Sequence, residues 1–156
     1  MSKKVLIANR GEISLRAIRA CKELGLKTVC IYSEGDKELK SLRFSDESVC
    51  VGPADPTKSY LDAPTILSAA DVTGSDAIYP GYGFLAEDHS FAEQCNLSGF
   101  KFIGPSSQTI RQMGDKITAK SIVTKYGIDG VPGFNKELPD NAVSYTHLTL
   151  PTMIRV

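Results

Sequence analysis

The chain has 156 residues, enough for one domain with its own core and at most the start of a second. Hydrophobic residues make up 42% and charged residues 23%, the balance of a globular protein rather than a disordered one. Lysine plus arginine equals aspartate plus glutamate at 18 each, so nothing in the net charge recommends nucleic acid as a partner.

The first four residues lead into Val5-Leu6-Ile7-Ala8, an apolar run too short for a secretory signal and read as a buried strand. Glu12 to Leu24 has helical spacing, with Ile13, Ala17, Cys21 and Leu24 on one face and Gly25 as the stop. Thr28 to Tyr32 is a second strand, and Val49-Cys50-Val51 a short third. A helix is expected from Tyr60 to Ala70, capped by Ser59, with Pro64 in its first turn. Asp76 to Tyr79 is a fourth strand, Asp88 to Leu97 a helix, Lys101-Phe102-Ile103 a fifth strand and Ser106 to Met113 a helix. Gly114 interrupts, and a last helix runs from Asp115 to Tyr126. No stretch approaches the ~18 apolar residues of a membrane span, and a cytoplasmic protein is expected. Cys21, Cys30, Cys50 and Cys95 form no C-x-x-C pair and read as small buried hydrophobes in a reducing compartment, so no metal site is expected.

Strand–helix alternation of this kind specifies an α/β fold, a Rossmann-like parallel sheet with helices on both faces. Such sheets bind ligands in the loops beyond the strands' carboxyl ends. Three loops qualify: Asn9-Arg10-Gly11-Glu12, Pro80-Gly81-Tyr82-Gly83-Phe84 and Gly104-Pro105-Ser106. No Walker A motif is present. Gly81 to Ala86 matches the dinucleotide pattern G-x-G-x-x-A, but that fingerprint belongs after the first strand, and two glycines also suit a tight turn.

These loops carry a resemblance. Ile7-Ala8-Asn9-Arg10-Gly11-Glu12-Ile13, then Arg16, Arg19-Ala20-Cys21 and Glu23-Leu24-Gly25, resemble the opening of biotin carboxylases. So do Ser59-Tyr60-Leu61, Pro80 to Leu85, Phe102-Ile103-Gly104-Pro105 and Met113-Gly114-Asp115-Lys116, and the likeness runs from Lys4 to about Phe134. Tyr79, Ala86 and Asp88 depart from the usual His, Ser and Asn, and the tyrosine argues against any role needing a titrating imidazole there.

The resemblance implies an ATP-dependent ligase that carboxylates biotin on a carrier protein with bicarbonate, through carboxyphosphate. Its cofactors would be ATP and magnesium, and its partners the biotin carboxyl carrier protein, a carboxyltransferase and a second copy of itself. It implies ATP contact for Lys116, whose point charge suits phosphate, and places Tyr82 and Gly83 at the edge of the biotin and bicarbonate pocket. Arg16, Arg19 and Glu23 share one face of the first helix; such rows are usually only solvated, but the family places them at its homodimer interface. For Asn9, Arg10 and Glu12, both ligand contact and a structural role in the first loop stay open. Two other classes also stay open: another ATP-grasp enzyme, such as a carbamoyl-phosphate synthetase or purine-pathway carboxylase, and a non-catalytic dimerisation module.

The family's catalytic residues, glycine-rich ATP loop and metal ligands lie beyond the resembling region. The expected organisation is therefore an amino-terminal, pre-ATP-grasp domain over 1–114, the start of the ATP-grasp domain over 115–142, and a tail over 143–156. Val143 to Thr152 resembles a translated transposase-based sequencing adapter, so the tail is read as non-native and the chain as an inactive amino-terminal piece of the ligase.

Overall fold

The apolar runs become five short strands: β1 (Lys4–Ile7), β2 (Lys27–Tyr32), β3 (Glu47–Cys50), β4 (Ala77–Tyr79) and β5 (Lys101–Phe102). The computed structural model describes residues 4–128, so the tail over 143–156 lies outside the described residues. All four strand pairings are parallel, in the order β3-β2-β1-β4-β5. The chain starts at the centre, moves outward through β2 and β3, and returns past β1 to lay down β4 and β5. The reversal lies between β1 and β4, and the crevice beyond their carboxyl ends is where such sheets take ligands.

Side-chain alternation decides which helix covers which face. Leu6, Ala8, Val29, Ile31, Ile78 and Phe102 point to one face. They pack there with Ile66, Ala69 and Ala70 of α2 (Ala63–Val72), Phe91, Ala92 and Cys95 of α3 (His89–Leu97), and Ile110 of α4 (Ser107–Gly114). Val5, Ile7, Cys30 and Ala77 point to the other face, where Ala17, Ile18 and Cys21 of α1 (Gly11–Glu23) cover them. Tyr79 packs on this α1 side. Each large aliphatic side chain buried this way contributes roughly 1.5–3 kcal/mol, and Phe91 meets Phe102 edge to face at 6.1 Å.

The chain divides into two units, Met1–Gly114 and Asp115–Val156. The second contains α5 (Lys116–Lys125), entered through Asp115, whose carboxylate accepts from the Thr118 amide at 2.6 Å. No residue of α5 is fully buried; Ile117, Ile122 and Val123 are half-covered.

Three expectations are corrected. The buried stripe of α1 is Ser14, Ala17, Ile18 and Cys21, so Ala17 and Cys21 lie on it as expected whereas Ile13 is half-buried and Leu24 exposed. Leu24 is 73% exposed because the helix ends at Glu23 and Gly25 turns the chain at φ +68°. The second helix begins at Ala63, not Tyr60, and Ser59 does not cap it. A start at Tyr60 would have put Pro64 where its missing N–H breaks a helical bond, whereas a start at Ala63 keeps it in the first turn. Ser59 instead donates to the Asp55 carbonyl and closes a 3-10 turn, Pro56–Lys58, which frees Tyr60 to enter the core. Cys50, expected to be buried, is exposed, because β3 is an edge strand whose Val49 takes the core-facing position.

The cysteines give the first test. Burial raises the Cys21 thiol and pushes Cys30 and Cys95 up to about 12, while Cys50 is open to solvent. A thiol reagent at pH 8 is therefore expected to label Cys50 alone in the folded chain, and all four thiols in denaturant. Rapid native labelling of Cys30 or Cys95, read by mass spectrometry, would contradict this packing.

Candidate functional site

Where β1 leaves the sheet, the apolar run ends in a buried polar residue, Asn9, only 1% exposed. A buried amide needs partners, and Asn9 finds them in the loop after β4. Its Nδ2 donates to the Pro80 carbonyl at 2.8 Å and the Tyr82 carbonyl at 3.0 Å, and its Oδ1 accepts from the Arg10 amide at 2.9 Å. This close approach requires glycine at 81: a Cβ there would lie 2.6 Å from Ile13 Cγ2 and 3.0 Å from Asn9 Nδ2, and φ is +70°.

Beyond Tyr82 the loop returns to positive φ. Gly83 has φ +68°, and Phe84, with a full side chain, has φ +44°. Such a backbone costs roughly 1–3 kcal/mol and persists only where its surroundings impose it. Phe84 stacks on buried Tyr60 at 5.2 Å with the rings 20° apart. The Arg10 guanidinium lies 5.5 Å from the Tyr60 ring centre and 5.9 Å from that of Phe84.

Beneath this stack sits Asp36, in the loop after β2. Its Oδ2 accepts from Tyr60 OH at 2.7 Å, Arg10 NH1 at 3.0 Å and Ser33 Oγ at 3.1 Å. The Tyr60 oxygen in turn accepts from the Ser33 amide at 2.9 Å. Burial alone would raise the Asp36 pKa, but the bonds from Tyr60, Arg10 and Ser33 together outweigh it and hold the carboxyl below the usual range. The Tyr60 phenol is pushed up to about 12, by burial first and then by its bond to the Asp36 carboxylate. It remains a neutral donor at physiological pH.

The outcome is a projecting turn on a rigid base. Tyr82 is 67% exposed, and Gly83 beside it is half-exposed. These two residues come together with Asn9 and Arg10 at the β1–β4 switch point. Glu12 does not join them; its nearest cation is Arg16 of the same helix, at 3.9 Å. Arg16, Arg19 and Glu23 are exposed along α1, and Lys116 is the exposed first residue of α5 in the second unit. The match to the dinucleotide pattern is not supported by the backbone, because Phe84–Glu87 is a 3-10 turn and α3 starts only at His89. Sequence reasoning missed Ser33, Asp36 and the role of Tyr60. The Ser33-Glu34-Gly35-Asp36 loop also follows a strand's carboxyl end and qualified by the rule that selected the other loops.

Residues 1–110 match the family model described as biotin carboxylase, N-terminal domain. The chain belongs to the biotin carboxylase N-terminal domain family. It is 57% identical over 141 residues to the biotin carboxylase of Pseudomonas aeruginosa, covering 90% of this chain and 31% of that protein. The biotin carboxylase complex with β,γ-ATP from Campylobacter jejuni superposes with a TM-score of 0.83 at 47% identity, over 86% of this chain and 30% of that one. The biotin carboxylase domain dimer of Hydrogenobacter thermophilus 2-oxoglutarate carboxylase, solved with MgADP, ADP and bicarbonate, gives 0.82 at 47% identity over the same shares. The domain thus spans about a third of the length of the relatives it matches.

Asn9→Ala is expected to leave the Pro80 and Tyr82 carbonyls without their donor and to destabilise the domain by about 1–3 kcal/mol. A urea midpoint equal to that of the unaltered chain would show that the amide does not hold the loop.

Proposed function

We propose that the chain supplies the amino-terminal domain of a biotin carboxylase, which uses ATP and bicarbonate to carboxylate biotin on a carrier protein. The observation that carries this is the Pro80–Phe84 turn, held at the switch point of a sheet whose sequence belongs to the family. Tyr82 and Gly83 border the biotin and bicarbonate pocket in this reading. An exposed ring and an adjacent glycine backbone suit that role, offering an apolar face beside peptide groups that a ligand can approach closely.

Lys116 contacts ATP phosphate. Its ammonium stands at the first position of α5, a point charge with three donors for phosphate oxygens, while the Thr118 amide of the same turn is already taken by the Asp115 carboxylate. Among the described residues, no group of three or more His, Cys, Asp or Glu side chains is placed to hold a metal ion. Magnesium and the remaining catalytic groups are assigned to the ATP-grasp domain, of which residues 115–142 form the start, and no step is derived through them on the described residues.

Partners follow from the same reading: the biotin carboxyl carrier protein, a carboxyltransferase and a second copy of the enzyme. Arg16, Arg19 and Glu23 contribute to that homodimer, supported by their exposure and by an adjacent apolar groove of about 320 Å³ lined by Ala20, Leu24 and Ile103. Among the described residues no helix is long and apolar enough to cross a membrane. In this reading the enzyme is assigned to the cytoplasm, in acetyl-CoA carboxylase and fatty acid synthesis or a related acyl-CoA or pyruvate carboxylation.

Two substitutions test the site in a full-length carboxylase built on this domain. Lys116→Ala is expected to raise the KM for ATP about ten- to a hundredfold, the loss of one charge-assisted contact. Tyr82→Ala is expected to raise the KM for free biotin roughly tenfold. Unchanged KM values with normal turnover would remove both residues from the site.

A further inference from the structure

The loop that carries Tyr82 and Gly83 is tethered at two points by different chemistry. At its start, Asn9 holds the Pro80 and Tyr82 carbonyls directly. At its end Phe84 is held at φ +44° through its ring, which stacks on Tyr60 beside the Arg10 guanidinium. The second tether is therefore only as firm as the orientation of those two partners.

Three loops supply that orientation through one atom. Arg10 comes from the loop after β1, Ser33 from the loop after β2, and Tyr60 from the segment before α2. All three donate to Asp36 Oδ2 at 3.0, 3.1 and 2.7 Å. The Tyr60 hydroxyl is also fixed from its other side by the Ser33 amide, so the tip of the ring is pinned in place from two sides. The Arg10 side chain is 45% exposed and long, and without its anionic partner only the weak attraction of the two rings holds it over them.

We infer that Asp36 is a positioning residue: by gathering Arg10, Ser33 and Tyr60 on one carboxylate oxygen it fixes the aromatic stack that keeps Phe84 left-handed, and so sets how Tyr82 and Gly83 are presented. The inference rests on the assignment of Tyr82 and Gly83 to the substrate pocket, and it extends that pocket's support to a loop two strands away. Asp36 itself touches no substrate. Its effect on turnover passes entirely through the loop, which separates it from a residue that merely stabilises the fold.

The test begins on the 156-residue chain, by NMR of backbone amides. Asp36→Ala is expected to speed exchange at Gly81, Tyr82 and Gly83 by about tenfold or more and to shift their resonances, while Leu6 and Val29 in the central strands keep theirs. Tyr60→Phe keeps the ring and its stack but loses the hydroxyl, and is expected to act in the same direction to a smaller extent. It decides the matter if Asp36→Ala fails to fold. Loop amides unchanged in a folded variant would overturn the inference. In a full-length carboxylase built on this domain, Asp36→Ala should raise the KM for free biotin about tenfold and leave the KM for ATP within about twofold, a split that general destabilisation would not produce. Equal changes in both constants would also overturn it. If Tyr82→Ala leaves the biotin KM unaltered while Asp36→Ala still loosens the loop amides, the substrate assignment falls and the clamp stands.

Discussion

The Asn9 side chain sits where the central strand leaves the sheet, and both of its Nδ2 hydrogens go to carbonyls of the loop that follows the neighbouring strand. That pairing exists because β1 and β4 are parallel neighbours, so their carboxyl ends emerge side by side although about 70 residues separate them in sequence. The remaining features of the site follow from it. The loop must pass close over the amide, so position 81 has no room for a side chain. It must then turn outward within three residues, which requires left-handed backbone at Gly83 and Phe84. The last of these carries a side chain, so an aromatic stack and the part-buried Asp36 carboxylate are needed to hold it.

The core divides its work by strand parity. Residues alternating along β1, β2 and β4 build one large cluster under α2, α3 and α4 and two small ones under α1. A single-residue slip of β1 would exchange Leu6 with Ile7 and also displace Asn9 from the loop it serves. Apolar packing therefore fixes the register, and the register places the polar residues.

Much of this was legible in the sequence, for reasons tied to particular residues. The strands read correctly because Val5 to Ala8 and Val29 to Tyr32 are continuous runs of apolar and aromatic residues, as sheets covered on both faces require. The loops at the carboxyl ends followed from topology, and the family from the motifs they contain. Errors arose where local signals competed. Leu24 continued the periodicity of the first helix, but Gly25 one position later ended it. Ser59 had the composition of a cap, yet Pro56 began a turn of its own and took Ser59 into it. The Asp36 cluster was invisible for a different reason: its members come from three loops, and no spacing along the chain records that they converge. Tyr60 illustrates this, since a helical pattern absorbs it easily and only the fold shows its hydroxyl on a carboxylate 24 residues earlier.

The domain covers about a third of its relatives, so its contribution is best measured where the remainder is supplied. The most direct measurement is bicarbonate-dependent ATP hydrolysis, with free biotin present, by a chimera in which residues 1–114 replace the matching segment of the Pseudomonas aeruginosa biotin carboxylase. The account predicts turnover within about tenfold of that enzyme, and none above a blank from the 156-residue chain alone. A folded chimera without turnover, or clear turnover from the chain alone, would contradict it.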